Sequence, residues 1–267
     1  MDSRKSITAY RHSLSTRESE VLSTLSSRGK TIFTTGDLKE FIQEPKNLLD
    51  NLSRKKWILR MKKGVYAIAP LEAGETGAAA YTLHSFAIAS YLVEPYYIGY
   101  WSALNYHGLT DQTPPAVYIA ATKPRNSRRM LDTEFRFVTI PARKLFGVAK
   151  VEIEKREVNI SSAEKTVVDC LDHPEHSGGM EEVARAIQGG EIDFKRLVDC
   201  AERLGNGAVL KRLGYMAEAL NVQELLRLLS DVKLSKGYSV LDPTMPKRGK
   251  ITERWRLVVN VPLGPTR

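Results

Sequence analysis

Apolar residues recur at helical spacing through the first quarter of the chain. In STRESEVLSTLSSRGK, Val21, Leu22 and Leu25 form one stripe. Ser15, with Glu18 three positions on, has the spacing of a capping box, and Gly29 supplies a stop. TIFTTGDLKEFI reads as a short second helix capped by Thr34, with Asp37 at its third position and Leu38, Phe41 and Ile42 turned inward. Pro45, a residue favoured at the first helical position, opens PKNLLDNLSRKKW as a third helix. Leu48, Leu49 and Leu52 share its inner face. That leaves Lys46, Asn47, Asp50 and Arg54 on the opposite side, with Asn51 and Lys55 at the edges. Asp50 and Arg54, four residues apart, are expected to pair. The period then drops to two. ILRM and VYAIAP alternate as strands around Lys62-Lys63-Gly64, where a glycine closing a tight turn takes a positive φ at little cost.

Beyond Pro70, LEAGETGAAA (71–80) is small and Gly-containing, and reads as a linker. YTLHSFAIASYLV is helix-like. In YYIGYWSALNYHGL, Tyr100, Trp101, Leu104 and Tyr106 are expected to pack a second core. A base-stacking platform would need a cationic groove, and no Lys or Arg lies between Tyr81 and Ala121. His107, just before Gly108, fits a helix-end cap. PPAVYIAAT and EFRFVTIPA alternate as strands around KPRNSRR, a basic loop. From Ser161 the pattern is helical, with stripes at Phe194, Leu197, Val198, Ala201 and Leu204, and at Val209, Leu210, Leu213, Met216 and Leu220. RWRLVVNV alternates again, returning the chain to a sheet. The sum is an α+β fold in which a small helical head with a hairpin (1–70) and a linker (71–80) precede a larger mixed α/β domain (81–267).

Charge changes the picture. The net charge is +9, and it is unevenly spread. Residues 1–70 carry 14 Lys or Arg against 7 Asp or Glu, whereas residues 71–267 carry 26 against 24. Three helices followed by a basic hairpin define a winged helix-turn-helix, a basic module on a near-neutral body. Asn pairs bidentately with adenine and Arg with guanine in the major groove, while a cationic hairpin rests on phosphates. The expected DNA-binding set is Thr34 and Thr35 at the second helix, Lys46, Asn47, Asn51, Arg54 and Lys55 on the third, and Arg60, Lys62 and Lys63 on the hairpin. Lys123, Arg125, Arg128 and Arg129 in the basic loop are either solvated or a second contact with nucleic acid or a partner protein.

LDNLSRKKWILRMKKGVYAIAP resembles the end of the N-terminal domain of AbiEi-type antitoxins from abortive-infection toxin–antitoxin systems. The resemblance continues, in the family's order, through YIGYWSALNYHGLTDQTPPAVYIAATKPR, SSAEKTVVDCLDHPEHSGGMEEVARAI, RLGYMAEAL and ERWRLVVNVP. It implies a winged-helix repressor fused to a larger antitoxin domain. Such a protein binds paired or inverted repeats of operator DNA, represses its own operon and counters a nucleotidyltransferase-type toxin. One departure is Lys56, where members of the family commonly have Gly before the first wing strand.

Catalytic patterns are weak. CLDHPEH spaces Cys170, His173 and His176 at three-residue intervals, but Pro174 interrupts any helix and no fourth ligand follows, so no metal or cofactor is expected. RGKTIFT lacks the earlier glycine of a phosphate loop, since Thr24 stands there. EIEKREV, with Glu152, Glu154 and Lys155, carries the competing reading of a nucleic-acid-processing enzyme, which an alternating charged strand explains equally well. A plain transcription factor with a ligand-sensing body is the third alternative. Cys170 and Cys200 are expected to be reduced thiols. No apolar run approaches the ~20 residues that span a bilayer, and the opening MDSRKSITAYRHS has no apolar signal stretch. The expected location is therefore the cytoplasm, and the expected role is not enzymatic.

Overall fold

The computed structural model describes residues 12–69, 84–130, 133–154 and 156–263. Its described residues form ten α-helices and three sheets, an α+β architecture. The expected linker at 71–80 and the first residues of YTLHSFAIASYLV lie outside the described residues. The chain divides into two compact units. One holds the described parts of the chain up to Leu92, of Arg129–Thr133 and of Ile153–Arg156, and the other holds the remainder.

The first unit begins with α1 (Thr16–Ser27), where Ser15 and Glu18 form the expected reciprocal capping box. Next come β1 (Ile32–Thr34), α2 (Thr35–Lys39), α3 (Lys46–Arg54), β2 (Ile58–Lys62) and β3 (Val65–Ile68). The sheet runs β1-β3-β2, antiparallel throughout. β1 is a strand that helical spacing concealed. Ile32 and Phe33 are buried because Phe33 pairs with Tyr66 in register and stacks on it, with ring centroids 5.8 Å apart. Leu25, Leu38 and Leu52, one from each helix, are fully buried at the centre of this unit. Phe41 is not turned inward as its spacing implied. α2 ends at Lys39, so the helical phase stops before it, and the ring is 37% exposed beneath the Arg28 guanidinium. The short α4 (Ser85–Ala89) groups with this unit, although the helix-like pattern of the sequence assigns it to the second domain.

The second unit holds most of a six-stranded sheet in the order β6-β7-β5-β4-β9-β8. These strands are β4 (Tyr96–Ile98), β5 (Val117–Ala121), β6 (Arg128–Met130), β7 (Thr133–Thr139), β8 (Val148–Ile153) and β9 (Arg156–Ser161). β5 pairs antiparallel with β4 and parallel with β7, and Ile98 meets Ile160 where β4 and β9 run parallel. Helices α5 (Tyr100–Tyr106), α6 (Ala163–Asp172), α7 (Met180–Gly189), α8 (Phe194–Leu204), α9 (Gly207–Ala219) and α10 (Gln223–Leu228) carry the expected apolar stripes into one core with the sheet. Tyr100 and Leu104 are buried there, but Tyr106 is 44% exposed, because it closes α5 on the side away from the core. The chain does return to a sheet near its end, though to a separate small one, β10-β12-β11 (Ser239–Val240, Leu257–Val259 and Lys250–Thr252).

α6 is buried from Glu164 to Asp172, charged residues included. Buried charges persist only when paired, and Lys165, Asp169 and Asp172 each have a partner. The Lys165 ammonium bonds to Asp169 and, at 3.0 Å, to the Tyr97 hydroxyl, which itself donates to Asp169 at 2.8 Å. Burial still holds the Asp169 carboxyl above its ordinary range, against the pull of Lys165. Asp172 accepts from Lys144 and from Asn206, the residue that caps α9. Burial would raise its pKa, but those two donors outweigh it and the net shift is downward.

Candidate nucleic-acid interface

α3 presents the face that its sequence pattern requires. Leu49 and Leu52 are buried and Leu48 is partly so, while Lys46, Asn47, Asp50, Asn51 and Arg54 are exposed. The start of α3 has no side-chain cap and no acid in its first turn, in contrast to the capping boxes that open α1 and α2. Uncapped N–H groups at a helix start favour an anion. Arg54 does not pair with Asp50. Its guanidinium donates to Asn51 Oδ1 at 2.8 Å, one residue closer along the helix, and the two groups form a single polar surface.

Lys55 leaves the set of available cations. Its ammonium donates to Glu18 Oε2 at 2.6 Å and ties the end of α3 to the start of α1. The hydrogen bond from Lys55, followed by that from the Ser15 N–H, holds the Glu18 carboxyl below its ordinary pKa. Lys56, next along, is exposed and takes a left-handed backbone, φ 62°. This is the conformation that favours the glycine usual at that place in the resembling family.

The hairpin of β2 and β3 turns at Lys63-Gly64, with Lys62 opposite Val65 and Gly64 at φ 78°. Arg60 and Lys63 are exposed and Lys62 is half-buried. Thr34 and Thr35 have architectural duties. Thr34 Oγ1 accepts from the Asp37 N–H at 3.2 Å and Asp37 Oδ2 accepts from the Thr34 N–H at 2.6 Å, closing the capping box of α2. Thr35 reaches the hairpin, where its N–H (2.9 Å) and its hydroxyl (3.3 Å) both donate to the Gly64 carbonyl. Asp37 also accepts from Lys30. Burial pushes its carboxyl up, but the bonds from Lys30 and Thr34 prevail and its pKa is lowered.

The second basic group is only partly a loop. Lys123 and Arg125 are exposed in the connection after β5, whereas Arg128 and Arg129 belong to β6, the edge strand beside β7. Of the acidic residues behind the enzymatic reading, Glu152 lies exposed on β8 and Glu154 sits at the β8–β9 turn, where Oε1 accepts from the His84 N–H. Lys155 lies outside the described residues. His107 does end α5, and its Nε2 lies 2.7 Å from the Ser161 carbonyl.

No family model matches the sequence, and no curated protein matches it. Among solved structures, the chain is similar to the crystal structure of the RV2827C protein from Mycobacterium tuberculosis. The TM-score is 0.66 and the identity 17%, over 94% of each chain. At that identity the likeness is one of fold, and it extends through both units. Among the described residues no helix is long and apolar enough to cross a membrane.

Proposed function

We propose that the first unit is a winged helix-turn-helix that binds double-stranded operator DNA, and that the chain represses its own operon and acts as the antitoxin to a neighbouring nucleotidyltransferase-type toxin. The observation that carries the DNA-binding reading is the exposed face of α3. Asn47, Asn51 and Arg54 stand together on a helix whose start is uncapped, in the same unit as a hairpin with Lys63 at its tip. Helix α3 is the reading helix, with Asn47 and Arg54 the side chains that reach base edges, and the hairpin contacts phosphates. Lys55 serves stability rather than binding, because it is spent on Glu18. The antitoxin role rests on the family resemblance.

The test is a titration of the tag-free protein on its own upstream DNA and on scrambled DNA, at two salt concentrations. Asn47→Ala and Arg54→Ala should each weaken operator binding by ~1–3 kcal/mol and leave binding to scrambled DNA nearly unchanged. Lys62→Ala should weaken both equally and lower the salt slope by ~0.9 for one lost phosphate contact. Equal affinity for the two DNAs, or operator affinity unaffected in all three variants, overturns the DNA reading. Co-expression with the adjacent gene tests the antitoxin role separately. Failure to restore growth there would leave a repressor without a toxin.

A further inference from the structure

Directly after α6 the chain passes through His173-Pro174-Glu175-His176, and Pro174–His176 form one 3-10 turn. The sequence spacing groups Cys170 with the two histidines, but the fold separates them. Cys170 is fully buried in the core, and burial pushes its thiol well above the ordinary range. Glu175 stands in its place. Its Oε1 is 3.0 Å from His173 Nδ1 and 4.0 Å from His176 Nε2, and the three donor atoms lie within 4.8 Å of one another. Among the described residues this is the one group of three or more His, Cys, Asp or Glu side chains brought so close.

We propose that His173, Glu175 and His176 form a binding site for a borderline transition-metal cation, with Zn²⁺ as the physiological occupant. Two imidazoles and one carboxylate suit zinc and disfavour Mg²⁺ and Ca²⁺, which take oxygen ligands almost exclusively. Bonds of about 2.0–2.2 Å in a tetrahedral arrangement set donor atoms roughly 3.4 Å apart. The observed separations reach that spacing by small side-chain rotations. The turn is braced for this. The two imidazole rings lie 6.0 Å apart and nearly parallel, and each packs edge-on against the buried Tyr100 ring. Behind His173, Asp172 Oδ2 lies 3.5 Å from Nε2 and is itself held by Lys144 and Asn206. A carboxylate on the far nitrogen orients a ligating histidine and presents Nδ1 to the metal. His173, Glu175 and His176 are each roughly a third exposed, so the cation has an entry path and a fourth position open to water or to a donor from a partner protein.

The experiment titrates Zn²⁺ into tag-free, full-length protein against a chromophoric chelator. One equivalent should bind with Kd about 1 µM or tighter. His176→Ala and Glu175→Gln should each weaken binding about tenfold or more, and excess Mg²⁺ or Ca²⁺ should not compete. Co²⁺ in place of Zn²⁺ should give visible absorption bands in the wild type and lose them in His176→Ala. The conservative Glu175→Gln retains the volume of the side chain, and circular dichroism establishes that both variants are folded. Absence of saturable Zn²⁺ binding, or undiminished stoichiometric binding in both folded variants, overturns the proposal.

Discussion

Lys56 shows how a single residue can carry a cost that its neighbours absorb. It follows α3 with φ 62°, and a side chain in that region costs about 1–2 kcal/mol relative to a right-handed one. The chain tolerates it because the next residue, Trp57, is bonded back to the Leu52 carbonyl, which closes the helix end. Lys56→Gly should therefore raise stability by about 0.5–1 kcal/mol, after glycine's own entropic cost in the unfolded chain. Urea denaturation midpoints would show the gain, and an unchanged or lowered midpoint would mean that the lysine side chain contributes more than its backbone costs. Glu18 makes the opposite kind of contribution. Its folded pKa lies below its unfolded one, so its stabilisation is complete above the unfolded value, ~4.3, and is lost as the pH falls through the folded value. The stability difference between wild type and Glu18→Gln should then be largest at pH 6–7 and shrink below about pH 4. Denaturation at several pH values checks this, and a difference independent of pH would contradict it.

At the scale of elements, periodicity was legible where one face of a helix is buried and the other is wet. α1, α3, α8 and α9 all follow it. It failed where tertiary pairing overrides local pattern. β1 is three residues long and abuts α2 with no turn between, so TIFTT carries the start of a helix and the whole of a strand together. The candidate interface was legible as a set of residue types on one helix face. What the sequence could not show was which of them are already engaged: Lys55 by Glu18, thirty-seven positions away, and Arg54 by Asn51 instead of Asp50. In CLDHPEH the even spacing singled out His173 and His176 but took Cys170, which the helix turns into the core, in place of Glu175. Helix α9 carries a further contact invisible in one dimension. The indole of Trp255 packs against Gly214, where an added Cβ would sit 2.1 Å from the ring. Gly214→Ala gains helix propensity but forces the indole off, and should cost about 1–3 kcal/mol net as overpacking. A calorimetric scan would read this as a lowered Tm, and an unchanged Tm would show that the ring can shift freely.

At the scale of the whole molecule, the +9 charge is an average over unlike parts. The excess sits almost entirely in the first 70 residues, while the larger unit internalises its charges in pairs along α6. Similarity to RV2827C over nearly all of both chains shows that this pairing of units recurs at 17% identity, so the fold tolerates extensive change of sequence. The clasp between Thr35 and the Gly64 carbonyl bears on what such a head can recognise. Two donors from the start of α2 hold the tip of the hairpin, so in the proposed complex the hairpin would act as one jaw of a caliper with a set gap. A caliper measures. A duplex whose groove already has the matching width seats without distortion, and one that is too wide or too narrow must deform at its own expense. Under the proposed DNA-binding function, a bond between one threonine and one turn would let the protein sense the stiffness of base steps that no side chain touches.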